Sequence, residues 1–197
     1  MNSQHVVADA CATLNLLATR NEVVLLQALG WCLLEPLQVQ GQARYLSSPP
    51  DEEGRRSREP VSFDALNEAR LLETVELVSD TEVDAFVEAA AHIDDADAAC
   101  IALAGVRKLP LLTDDKKERR IARELFPEIA LVSTLDLVHD GSTALGWTEE
   151  KLKQLVYSLR WRGNFAPPRG DHASLDGVEG EASRPGHETP GNSEAPH

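Results

Sequence analysis

The chain of 197 residues carries 33 acidic against 19 basic side chains, a net charge of −14, and 42% of it is apolar. That length holds one ordinary domain with a remainder and excludes two full enzymes, while the charge excludes a protein that wraps nucleic acid through a basic face. A nuclease whose carboxylates hold divalent cations stays open, because such a site is negative only until it is loaded.

Taken in chain order, His5-Val6-Val7-Ala8 predicts a short strand ending at Asp9, and residues 11–19 carry apolar groups at helical spacing. Asn21 is placed to cap a helix running to Gly30, and Trp31-Cys32-Leu33-Leu34 predicts a second strand before Pro36. Residues 38–46 read as helical. Residues 47–60 (SSPPDEEGRRSREP) hold three of the eleven prolines and charges of both signs, which predicts an exposed insertion loop. Residues 71–78 fit a strand, and Asp80 or Thr81 is expected to cap a helix ending near Ala91.

Residues 94–106 are apolar on all sides from Ala98 to Ala104, as suits a helix pressed between other elements. Leu109-Pro110-Leu111-Leu112-Thr113 predicts a strand running into Asp114 and Asp115, and residues 116–125 predict an amphipathic helix. A last strand at 129–132 and a last helix at 148–159 complete the alternation. Strands alternating with helices predict an α/β fold, a three-layer sandwich around a central parallel sheet, over residues 1–165. From residue 166 onward, five prolines and five glycines among 32 residues, with Leu175 and Val178 the sizeable apolar groups, predict a disordered tail.

Cys11, Cys32 and Cys100 are an odd, scattered set without a C-x-x-C pair, so neither a disulfide framework nor a structural zinc site is expected. The histidines, three of them in the tail, suggest no metal cluster. No run reaches the roughly 18 apolar residues of a membrane span, since Gln27 interrupts the richest one, and the first residues lack a secretory signal. A cytoplasmic setting without a membrane partner is expected.

Chemistry points to the carboxyl ends of the parallel strands, where α/β sheets bind ligands. One predicted strand ends at Asp9 and another at Asp114-Asp115, and Asp97 lies in the first turn of the buried helix. Carboxylates gathered there repel and raise one another's pKa unless a cation intervenes, and hard oxygens suit Mg²⁺ or Mn²⁺. Each Asp taken alone is equally an ordinary cap or turn residue. Lys116, Lys117, Arg119, Arg120 and Arg123 are placed to meet phosphates, or form a solvated face. Asn15 is within reach of the same edge, or bonds its own backbone.

Three stretches resemble one family. Val6-Val7-Ala8-Asp9-Ala10-Cys11 with Leu14-Asn15-Leu16-Leu17 looks like the opening strand and acidic turn of PIN domains, the fold of many toxin-like bacterial ribonucleases. Asp94-Asp95-Ala96-Asp97 leading an alanine-rich helix resembles the family's second acidic element, and Leu111-Leu112-Thr113-Asp114-Asp115 is similar to its strand ending in Thr-x-Asp. The resemblance implies a site of four acidic positions that hold Mg²⁺ or Mn²⁺ against an RNA phosphodiester, with Asp9, Asp97 and Asp115 as three catalytic and metal-binding members. Gln42 stands where the family's fourth acid is expected, keeping an oxygen but losing the charge, and Glu35 is nearby in sequence. Asn15, Gln42, Thr113 and Asp114 are supporting residues.

The Asp-x-Asp-x-Thr phosphatase pattern fails because Cys11 replaces its second carboxylate. No glycine-rich phosphate loop, dinucleotide fingerprint or G-x-S-x-G elbow occurs. Two functions are therefore expected: a metal-dependent endoribonuclease of PIN type, such as a toxin with an antitoxin protein as partner, or a weakened PIN-like module that binds RNA or protein without cleaving. A homodimer is compatible with both.

Overall fold

A computed structural model describes residues 3–40, 45–48, 51–163 and 165. The expected tail and Gln42 lie outside the described residues. The strands are β1 (Gln4–Ala8), β2 (Trp31–Pro36), β3 (Tyr45–Ser47), β4 (Arg58–Pro60), β5 (Leu72–Val75), β6 (Leu111–Leu112) and β7 (Leu131–Val132). Five of them form one parallel sheet in the order β5-β2-β1-β6-β7, and β3 pairs with β4 in a separate antiparallel ribbon.

Apolar runs let these strands sit between two layers of helices. Successive side chains of a strand point to opposite faces, so Val7 and its register partners Leu34 and Leu111 share one face while Val6, Leu33 and Leu112 fill the other, all of them buried. Helices α4 (Asp80–Ala90), α5 (Asp95–Arg107) and α6 (Lys116–Leu125) cover the first face. Helices α1 (Ala10–Ala18), α2 (Glu22–Leu29), α7 (Thr134–Ala144) and α8 (Glu149–Arg162) pack together on the second. The short α3 (Asp64–Glu68) leads into β5. The chain is thus an α/β three-layer sandwich around a parallel sheet.

Helix α5 is the centre of the first layer. Ala96 and every residue from Ala98 to Gly105 are buried, because alanines let the sheet, α4 and α6 approach closely on several sides. Burial of Ile101 or Leu103 stabilises by about 1.5–3 kcal/mol each. At Gly105 a Cβ would stand 2.3 Å from the Phe126 ring, so the missing side chain is what allows the end of α6 to lie against α5.

Several expectations change in the structure. The described part of 38–46 is not the expected helix: Leu37–Val39 make a 3₁₀ turn, Tyr45–Ser47 pair with Arg58–Pro60, and 41–44 lie outside the described residues. The expected insertion loop is accordingly a hairpin whose described tip, 51–57, is exposed. Ser79, and not Asp80 or Thr81, caps α4, because its hydroxyl reaches the Glu82 amide while the Glu82 carboxylate returns to the Ser79 amide. Asn21 occupies the cap position of α2 without a side-chain bond to it, since its amide donates to the Thr19 carbonyl. Helices α3 and α7 were not expected.

Strand order places the site. The chain goes from β1 outward to β2 and β5, then returns to the other side of β1 for β6 and β7. The switch point is therefore the crevice beyond the carboxyl ends of β1 and β6. Among the described residues no helix is long and apolar enough to cross a membrane.

Candidate functional site

Asp9 and Thr113 meet at that crevice because their strands are in register one residue earlier, Ala8 opposite Leu112. The Asp9 amide donates to the Leu112 carbonyl at 3.2 Å, and the Thr113 hydroxyl donates to Asp9 Oδ2 at 2.7 Å. Asp9 Oδ1 accepts from the Ala12 amide and caps α1. Both carboxylate oxygens are thus fixed while the side chain is almost wholly buried.

Two more helices begin at this edge with an aspartate cap. Asp94 caps α5 by accepting from the Ala96 and Asp97 amides at 3.1 and 3.2 Å. Asp115 caps α6 through the Lys117 and Glu118 amides at 2.7 and 2.8 Å. Because Asp94 makes the cap, the half-buried Asp97 carboxylate in the first turn of α5 is left for other work. Positive helix ends favour the acidic caps.

The residue that sequence reasoning missed is Glu118. It is fully buried, stands against Asp9 and Thr113, and neither of its oxygens has a hydrogen-bond partner of good geometry among the described residues. A signal was present: Glu118, Ile121, Ala122 and Leu125 follow the spacing that turns one face of α6 inward, and the other three pack in the core. Glu118 supplies a fourth acid at this edge from α6, where the resemblance placed one at Gln42.

Burial and mutual repulsion raise these acids. Burial first, against the Thr113 and Ala12 hydrogen bonds, pushes Asp9 from 3.8 up to about 6. For Asp97, burial followed by the charges of Asp94, Asp9 and Asp115 raises the carboxyl to about 7. Glu118 is pushed well above the usual carboxylate range by burial and then by Asp9. The same field reaches Cys11, whose thiol rises to about 11 through burial and the charges of Asp9, Asp97, Asp115 and Glu118.

Asp114 turns away from this group. It accepts from Asn15 Nδ2 at 2.8 Å, from the Thr134 amide at 2.8 Å and from the Thr134 hydroxyl. It joins the end of β6 to α1 and α7 and positions the loop between Thr113 and Asp115. Arg119 Nη1 donates to the Thr113 carbonyl at 3.0 Å, so one guanidinium is held beside the acids. Lys116 and Lys117 are exposed next to Asp115, and Arg120 pairs with Glu124 at 2.9 Å. Glu35 is buried near the end of β2, where its charge contributes to the raised thiol of Cys100.

The structure therefore brings Asp9, Asp97 and Asp115 to one edge with Glu118, assigns Asn15 and Asp114 to one latch, and ties Thr113 to Asp9. Among the described residues no three of these acids bring ligand atoms within 4.8 Å of one another; the trio that does is His5, Cys32 and Glu73. Compared with family models, with curated proteins and with solved structures, the chain finds no match in any of the three.

Proposed function

We propose that the chain is a metal-dependent endoribonuclease of PIN type, as its three acidic motifs resemble. The observation that carries this reading is Glu118: a fully buried carboxyl group set against Asp9 and Thr113 in the crevice of the switch point, with no hydrogen bond of good geometry to either oxygen among the described residues. Leaving such a group unsatisfied costs about 1–3 kcal/mol or more for a charge, and a hard divalent cation removes that cost. The donor set of all-oxygen acids fits Mg²⁺ or Mn²⁺.

Asp9, Asp97, Asp115 and Glu118 would hold the ion. When bound, such a cation supplies positive charge against a phosphate and activates water for attack on the phosphodiester. The chain's own residues do the rest. Thr113 and the Ala12 amide fix the Asp9 carboxylate, the Asn15–Asp114–Thr134 latch holds the neighbouring loop, and Arg119, Lys116 and Lys117 offer cations to an RNA backbone in an otherwise acidic protein. The absence of disulfides among Cys11, Cys32 and Cys100 suits a cytoplasmic enzyme, and an antitoxin protein or a second copy is a compatible partner.

A second reading, a PIN-like module that binds RNA or protein without cleaving, is favoured by the spacing: no three of the acids close within 4.8 Å among the described residues, and three of the aspartates at this edge already cap helices. One assay separates the two. Mn²⁺-dependent cleavage of single-stranded RNA that disappears in Asp97→Asn and Glu118→Gln supports the nuclease. Binding of RNA without cleavage at any Mn²⁺ concentration, including in Gln42→Glu, supports the module.

A further inference from the structure

The opposite end of the sheet holds a different group of ligands. His5 is the second residue of β1, Cys32 is its register partner on β2, and Glu73 on β5 is the register partner of Leu34, two residues after Cys32. Alternation along the strands puts all three side chains on the face covered by α5. His5 and Glu73 are exposed, whereas Cys32 is buried. Their ligand atoms lie within 4.8 Å of one another, with Cys32 Sγ 3.9 Å from Glu73 Oε1.

The trio admits two chemistries. A nucleophilic cysteine needs a base beside its sulfur and a depressed thiol pKa. Here a base, His5, lies within 4.8 Å of the sulfur, but the Glu73 carboxylate is 3.9 Å from it, and burial followed by the Glu73 charge raises the thiol instead of lowering it. A metal site has the opposite requirement: an imidazole, a thiol and a carboxylate converging from three strands, one side open to water. One nitrogen, one sulfur and one oxygen donor form the mixed set that Zn²⁺ accepts, with three protein ligands leaving the fourth position open.

We propose that His5, Cys32 and Glu73 form a three-ligand site for a borderline transition ion of the Zn²⁺ class, separate from the acidic edge. Asp9 follows His5 by four residues of extended chain, about 13 Å at ~3.3 Å per residue, so the two sites lie at opposite ends of the same strand. Binding is an exchange without redox change: the Cys32 S–H bond breaks, a metal–sulfur bond forms, and one proton leaves to solvent. The sequence alone hid the trio because its members are scattered, and strand pairing is what gathers them.

The test uses the tag-free full chain and Co²⁺ as a spectroscopic probe for the site, with Zn²⁺ as competitor. One thiolate-ligated Co²⁺ per chain is expected, counted from a thiolate-to-cobalt charge-transfer band that Zn²⁺ abolishes, with one proton released from the thiol as that band forms. Cys32→Ser should remove the band, and His5→Ala and the exposed Glu73→Gln should each weaken Co²⁺ binding at least about tenfold, with circular dichroism confirming that each variant is folded. Cys11→Ser and Asp97→Asn should leave the band unchanged. No thiolate band in the wild-type chain, or a band that survives Cys32→Ser and is lost in Cys11→Ser, would overturn the proposal. Since Glu73→Gln spares Mn²⁺ binding at the acidic edge and Asp97→Asn spares the Co²⁺ band, failure of either site is distinguishable from failure of the other.

Discussion

Glu82 and Glu118 occupy the same position in two helices, the third residue after the cap of α4 and of α6, and both are buried. Their fates differ. Glu82 returns to the Ser79 and Val78 amides at 3.0 and 2.8 Å and pairs with Arg107 Nε at 2.7 Å. Burial alone would raise its carboxyl, but the Arg107 hydrogen bond, the two amides and the Arg107 charge hold it at about 2. Glu118 has no such return, because the Asp115 amide already donates to the Thr113 hydroxyl at 3.0 Å, and the group it faces is another acid. Burial is therefore not what distinguishes a structural acid from a functional one. The partner is: Glu82 stabilises the fold as a carboxylate, whereas Glu118 meets no cation among its neighbours and must keep its proton or take up a cation from outside.

The largest expected effect comes from removing the partner on the stable side. Arg107→Ala leaves Glu82 buried beside no cation and should cost about 3 kcal/mol in thermal or urea unfolding. A loss below about 1 kcal/mol would mean that the two amides alone satisfy Glu82 and that the contrast with Glu118 is overdrawn. Gly105→Ala comes next. The new methyl meets the Phe126 ring, so α6 must shift against α5 at about 1–3 kcal/mol. Since α5 carries Asp97 and α6 carries Glu118, the same variant should weaken Mn²⁺ binding measured by calorimetry.

Glu118→Gln should act with the opposite sign. Removing a buried acid whose ionised form is disfavoured should make the metal-free protein more stable relative to wild type the higher the pH, and abolish most of the rise in melting temperature on adding Mn²⁺. Destabilisation at pH 8 in melts without metal would reject the unpaired acid.

The pH profile of the wild-type chain sharpens the same comparison. Asp9 and Asp97 have folded values of about 6 and about 7 against 3.8 in an ordinary carboxyl, so the unfolded chain releases these protons first and stability falls as pH rises from about 4 to about 7. Glu82 behaves inversely: with a folded value of about 2 against 4.5, its contribution is complete above 4.5 and is lost as pH falls toward 2. Metal-free stability should crest near about pH 4–5, and Mn²⁺ should flatten the fall on the alkaline side only. Urea titrations across pH 3–8, with and without Mn²⁺, measure both limbs. The smallest effect is at Cys11, whose thiol at about 11 is raised by burial and then by the four acids; cation binding should speed its alkylation, read by peptide mapping, and a slower reaction would place the ion elsewhere.

Much of this was legible in the chain. The apolar runs, the acids at the ends of the strands and the all-apolar α5 are local features of spacing, and the structure places them as expected, whereas Asn15 reaches Asp114 and not the acids around Asp9. Where the reading failed, the missing information was nonlocal or subtle. The spacing at 38–46 predicts a helix because the hairpin partner at Arg58–Pro60 is distant in sequence, and α7, which brings Thr134 to Asp114, is marked in the sequence only by the capping box of Ser133 and Asp136 at its start. Glu118 lay on the apolar stripe of α6 but looked like one more charge in a charged helix.

The sequence by itself determined the layers, since strands apolar on both faces and alternating with helices bury those faces when the helices cover both sides of a parallel sheet. It also determined the helix starts at Asp9, Asp94 and Asp115, because a cap is a bond between residues two or three apart. Strand order was decided only by the tertiary structure. Which strand lies beside β1 depends on crossovers and register, and these choices set Asp9 against Thr113 and Glu118, gave Glu82 its Arg107, and drew His5, Cys32 and Glu73 together at the far end of the sheet.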